Sequence, residues 1–126
     1  MDKPHRNLDA WSAAVELVTM IYQETEGFPR DSRFGITDQL RRAALSVSSN
    51  IAEGAGRQTR EEFINFLHMA QGSVSEVDTQ LEVARRPKFL DEAAWTRLDL
   101  HLNRIDKMLS GLIRQQRAVS KPVSKS

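Results

Sequence analysis

Four stretches of the chain carry apolar residues at helical spacing, with glycine and proline between them. In the first, Leu8, Trp11, Val15, Val18 and Tyr22 step by three and four, which predicts a helix over residues 8–26 with this stripe toward the core. Asn7 stands as its N-cap and Gly27 as its stop. The connection over residues 27–35 holds two aromatics, Phe28 and Phe34, expected to fold back onto the core. The second stretch, residues 36–54, sets Ile36, Leu40, Ala43, Val47 and Ile51 on one stripe. Beside it stand many small residues: Ala44, Ser46, Ser48, Ser49 and Ala52. Small side chains let helix axes approach closely, so this helix is expected to be gripped from more than one side. Gly54 and Gly56 close it.

The third stretch, residues 59–85, opens on Thr59 and Glu62, the spacing of a capping box. Phe63, Ala70, Val77 and Ala84 recur by seven, with Leu67, Val74 and Leu81 between them, and Pro87 ends the run. The fourth, residues 91–117, repeats the heptad with Trp95, Leu98, Leu102, Ile105, Leu109 and Leu112. Residues 1–7 form an N-terminal extension, and residues 118–126 a flexible basic tail without periodicity. No strand pattern competes. Four helices on short connections with a heptad-like repeat predict an all-α, up-and-down antiparallel four-helix bundle in a single domain. The last two helices, at roughly 40 Å, should outreach the first two, at roughly 28 Å.

Composition narrows the chemistry. The 126 residues include no cysteine, which excludes disulfides, thiolate nucleophiles and thiolate metal sites. The lack of cysteine is consistent with a cytoplasmic setting; the opening residues lead into no apolar run, so no secretory signal is expected, and no stretch suits a membrane span. A di-iron bundle needs Glu-x-x-His on two helices, but Asn65 precedes His68 and Leu98 precedes His101 by three. Both histidines are expected as partly exposed residues, with no metal site and no cofactor. There is no nucleophile elbow, and the Gly54-Ala55-Gly56 run follows a helix rather than the strand a phosphate loop requires. No residue is assigned a catalytic role.

Two groups of polar residues stand out. Ser46, Ser49, Asn50 and Glu53 share one face of the second helix; Ser73, Glu76 and Gln80, beside Gly72, share one of the third. Glu53 and Glu76 have the residue type of an acid pair. Without pocket-forming loops they read instead as hydrogen-bond acceptors at a helix or subunit contact. The second group is basic: Arg41, Arg42, Arg57, Arg60, Arg97, Arg104, Lys107, Arg114 and Arg117. Such residues hold phosphates without reading bases, or they form ion pairs on a solvated exterior. Composition divides these two readings evenly. A further reading is protein assembly, since Leu17, Met20, Leu45, Phe66, Met69 and Leu100 are apolar yet lie off the main stripes.

The segment Gln39 to Gly54, with its run Ser49-Asn50-Ile51-Ala52-Glu53-Gly54, resembles the signature of the four-helix-bundle proteins encoded by intervening sequences in bacterial 23S ribosomal RNA genes. The segment Phe63 to Glu76 is similar to that family's third helix, and the likeness extends over roughly residues 6–115. The resemblance implies a cytosolic bundle that assembles with itself as a ring, a homopentamer, and associates with structured RNA. A related accessory protein of diversity-generating retroelements has a similar pentameric bundle that binds nucleic acid and a reverse transcriptase through a basic surface. By the same resemblance Ser49, Asn50, Glu53, Gly54, Gly72, Ser73 and Glu76 take the signature positions, as packing and assembly residues. Arg86-Pro87-Lys88-Phe89 departs from the Gly-Tyr type of turn usual there, and the basic residues here are less dense.

The net charge of +1 is an average over unlike parts. Residues 1–86 hold 10 basic and 13 acidic groups; residues 87–126 hold 8 and 4. A ring would repeat that local excess around its axis, which places an expected nucleic-acid contact on the fourth helix and the tail.

Overall fold

A computed structural model describes residues 3–30 and 33–120. After a short 3-10 turn at Pro4–Asn7 come α1 (Asp9–Thr25), α2 (Asp38–Ala55), α3 (Arg60–Arg85) and α4 (Glu92–Ser120), with no strand among the described residues. Cross-helix bonds fix the directions. Ser46 meets Ser73 and Gln39 meets Gln80, so α2 and α3 run antiparallel. Arg85 reaches Glu92 at one end of the long hairpin, and Gln71 reaches Ser110 further along it. Arg97 reaches Glu24 and His101 reaches Ala13, which closes α4 back onto α1. Consecutive helices pack on one another, and α1 with α4 completes the ring of contacts.

Local chemistry sets the helix ends. Thr59 caps α3, its Oγ1 accepting from the Glu62 backbone N–H at 3.1 Å and donating to Glu62 Oε1 at 3.0 Å, so the return bond of the capping-box pair runs to the Thr59 hydroxyl and not to its backbone N–H. Asp91 Oδ1 accepts from the Ala94 N–H at 2.8 Å and caps α4. α2 begins at Asp38, not Ile36, because Gly35 (φ −102°, ψ −105°) breaks the helical path just before it. α1 starts from Leu8, which makes no side-chain cap bond, so Asn7 is not the N-cap. α4 continues through Ala118–Ser120, residues expected in the tail; the rest of that tail, residues 121–126, lies outside the described residues.

The core also corrects the register of α1. Its buried face is Ala10, Ala13, Ala14, Leu17 and Ile21, while Val15 and Tyr22 are 39% and 40% exposed. Leu17, expected off the stripe, is fully buried. Three alanines let α1 lie close to its neighbours, and the larger side chains Trp11 and Val18 flank the contact half-buried. His101 is a second correction. It is 8% exposed, and its ring Nε2 lies 2.8 Å from the Ala13 carbonyl, so it ties α4 to α1. Phe28 folds back as expected and packs against Phe89 with ring centroids 5.9 Å apart. The side chain of Phe34 lies outside the described residues.

At the α2–α3 crossing, a Cβ built on Gly54 would sit 2.6 Å from Phe66 Cβ and 3.0 Å from Phe63 Cδ1. Only a glycine allows the helices that close. Gly54 is buried in the last turn of α2, which ends at Ala55 with Gly56 as its C-cap, so the two glycines stand at the helix end as expected and Gly54 also lets α3 approach.

Candidate nucleic-acid interface

Up-and-down topology gathers the start of α1, the end of α2, the start of α3 and the end of α4 at one end of the bundle. The opposite end carries the α1–α2 connection and the α3–α4 turn. The nine basic candidates divide between these regions by the company they keep.

Arg41 is committed to the fold. Its Nε donates to Thr25 Oγ1 at 2.9 Å, its guanidinium lies 4.3 Å from the Tyr22 ring centroid, and Glu26 is 3.7 Å away. Arg42 pairs with Asp38 at 3.1 Å, and Arg97 with Glu24 at 3.0 Å. Arg57 pairs with Glu53 at 3.4 Å and lies over Phe66. Arg60, Arg104, Lys107 and Arg114 are exposed and form no ion pair among the described residues. Arg117, one turn beyond Arg114, donates to His68 Nε2 at 3.2 Å. Of the nine candidates, those without an ion pair among the described residues thus lie on α4 and at the α3-start end, while Arg30 and Lys88, outside the nine, are exposed without one at the opposite end. Arg6 belongs to the α3-start end. It stacks over Trp11 at 5.4 Å, the N-terminal turn packs on α2 and α1, and an open cleft lined by Asn7, Leu8, Met108 and Gln115 separates that turn from α4. Periodicity could not find Arg6, because it precedes the first helix.

Residues at the α3–α4 turn answer to one another. Arg85 donates to both Glu92 carboxylate oxygens, at 2.8 and 3.0 Å, and to Glu82 at 3.3 Å, with its guanidinium 3.8 Å from the Trp95 ring centroid. Arg86 takes the other Glu82 oxygen at 3.0 Å. The Arg86 hydrogen bond, aided by Arg85, holds the Glu82 carboxyl below its ordinary value; the Arg85 bonds do the same to Glu92 and raise Arg85 in return. Charge here is spent on the turn. Lys88 in that turn has φ 66°, the left-handed conformation a glycine adopts most easily.

The seven signature residues fall into two sets. Gly54 and Ser73 are buried between α2 and α3, where Ser73 Oγ donates to Ser46 Oγ at 2.9 Å and Asn50 Nδ2 donates to the same oxygen at 3.1 Å. Ser49, Glu53, Gly72 and Glu76 are exposed, and no atom lies within 4 Å of where a Gly72 Cβ would stand. Glu53 is held by Arg57, whereas Glu76 has no ion pair among the described residues. The structure does not join the two glutamates into an acid pair by any bond. Among the described residues no three His, Asp or Glu side chains cluster as metal ligands, and no helix is long and apolar enough to cross a membrane.

An antiparallel all-α bundle with open cations along its last helix is the class of protein this geometry defines. The chain belongs to the family of 23S rRNA-intervening sequence proteins, which matches residues 6–111. It is similar to a protein of unknown function from the S23 ribosomal protein family of Bacteroides thetaiotaomicron: 23% identical, TM-score 0.74, covering 82% of this chain and 97% of that one. At that identity the likeness speaks for the fold. No curated protein matches.

Proposed function

We propose that the chain is a non-catalytic cytoplasmic bundle that assembles with itself into a ring, a homopentamer by its family resemblance, and binds structured RNA by holding its phosphates. One observation carries the RNA reading. Arg41, Arg42, Arg85, Arg86 and Arg97, near the α1–α2 connection and the α3–α4 turn, are taken up by carboxylates, while Arg104, Lys107 and Arg114 on α4 and Arg60 at the start of α3 form no ion pair among the described residues. Arg117 adds a fifth positive group beside them. Such a surface attracts a phosphate backbone and reads no bases, so its affinity falls steeply with salt.

A salt series against a structured RNA tests this. Wild-type protein should bind at low salt, and reversing the charge of Arg104, Lys107 and Arg114 should weaken all sequences alike. Each phosphate no longer held should reduce the salt slope by about one. Absence of binding at the lowest salt overturns the reading. The second reading is an assembly scaffold with no nucleic-acid role, its protein partner being another copy or a reverse transcriptase like that of the retroelement relatives; the exposed Leu45, Met69 and Leu100 favour it.

A further inference from the structure

Beside the Ser46–Ser73 contact, α2 and α3 leave an open groove of about 520 Å³, lined by Ile36, Gln39, Gly72, Glu76, Gln80 and Val83. Nothing in this chain's own packing requires Gly72 to lack a side chain, yet a glycine inside a helix costs about 1 kcal/mol against alanine. Val83 and Met69 stand 53% exposed on the same side of α3. Glu76 projects there without an ion pair among the described residues, and one end of the buried Gln80 amide has no hydrogen-bond partner. The groove is thus small-walled, apolar along its rim and acidic. It also has an unmet polar group.

The outer face of α4 has the opposite character. Leu100 is 69% exposed, the largest exposure of any big apolar side chain described, with Arg97 three residues before it and Arg104 four after. Over their lengths α3 holds two basic and five acidic residues, and α4 five and three. We infer that the α2–α3 groove of one subunit receives the Leu100 face of α4 from a second copy of this chain. Leu100 enters over Gly72, and an arginine one turn from it meets Glu76, one turn from Gly72. Arg97 is held by Glu24 within its own chain, so the arginine that meets Glu76 is Arg104, which forms no ion pair among the described residues. The arginine also brings N–H donors to the groove. Because the two surfaces are different patches, each copy offers both, and the contact propagates into a ring or filament instead of stopping at a dimer. The inference rests on the self-assembly proposed above and gives it a surface. It takes Arg104 out of the RNA-binding set proposed above and leaves Lys107 and Arg114 for nucleic acid.

Solution mass by light scattering tests the contact on the full chain, with circular dichroism and thermal melting as controls for folding. Wild type should be multimeric. Leu100→Glu and Gly72→Trp should each fall to the 14.3 kDa monomer while staying helical. Mixed in equal amounts they should give a one-to-one heterodimer, since each variant keeps one intact face. Glu76→Arg and Arg104→Glu should each weaken assembly, and the double exchange should restore it. Should either Leu100→Glu or Gly72→Trp keep the wild-type mass, this contact is wrong and self-assembly stands. A monomeric wild type removes self-assembly and the contact together. If Leu100→Glu keeps its mass but lowers RNA affinity, the middle of α4 belongs to nucleic acid and the inference fails.

Discussion

Gly54 and Gly72 both sit inside helices, and their surroundings demand opposite outcomes from the same substitution. At Gly54 an added methyl would stand 2.6 Å from Phe66 Cβ, an atom fixed to the backbone that cannot swing aside. The helices must part, and overpacking of this kind costs about 1–3 kcal/mol, more than the roughly 1 kcal/mol alanine gains in helix propensity. Gly54→Ala should therefore lower the melting temperature. At Gly72 nothing opposes the methyl, so the propensity gain stands alone and Gly72→Ala should raise it. Thermal denaturation of the two variants, at a concentration where the chain is monomeric, checks both signs. A stabilised Gly54→Ala would mean that α2 and α3 do not cross this closely. Sequence marks Gly54 as a helix end and Gly72 as a glycine within a helix, and neither reading gives these signs, because the deciding atoms of Phe63 and Phe66 belong to another helix.

At the scale of elements, legibility depended on how strongly one face differs from the others. α3 and α4 repeat strict heptads with a capping box and an acidic cap, so their cores could be read directly. α1 misleads because its buried face is largely alanine, while valine and tyrosine, more apolar by pattern, stand outside. The Tyr22 ring is accounted for by Arg41, an arginine 19 positions later. The α3–α4 turn makes a pH prediction. Glu92 has its carboxyl lowered by the Arg85 hydrogen bonds, so the pair stabilises the fold fully above the ordinary carboxylate range. That stabilisation is lost as pH falls through the lowered folded value. Glu92→Gln should melt below wild type at neutral pH, with the gap narrowing on acidification and closing once both states are protonated. Melting curves from neutral to acid pH follow this directly; a gap that widens in acid would contradict the pairing.

For the whole molecule, the useful distinction is between charge that holds the bundle and charge left open. Pairs such as Arg42 with Asp38 and Arg57 with Glu53 are four residues apart and legible on a helix face, but Arg97 finds Glu24 73 positions away. No reading of residue types could sort the nine cations without the packing of α1 on α4. The sorting predicts two separable phenotypes. Exchanging Arg42 and Arg97 for glutamine removes cations already neutralised, so melting should shift slightly, each exposed pair being worth about 0.2–1 kcal/mol, while the RNA salt slope stays put. Exchanging Arg60 and Arg114 for glutamine should leave melting nearly unchanged and reduce the slope by about one for each phosphate released. In a ring the effect recurs in every subunit, so the open set should produce the larger change however many copies assemble. Equal slopes after both exchanges would move the RNA-binding surface away from the end of α4.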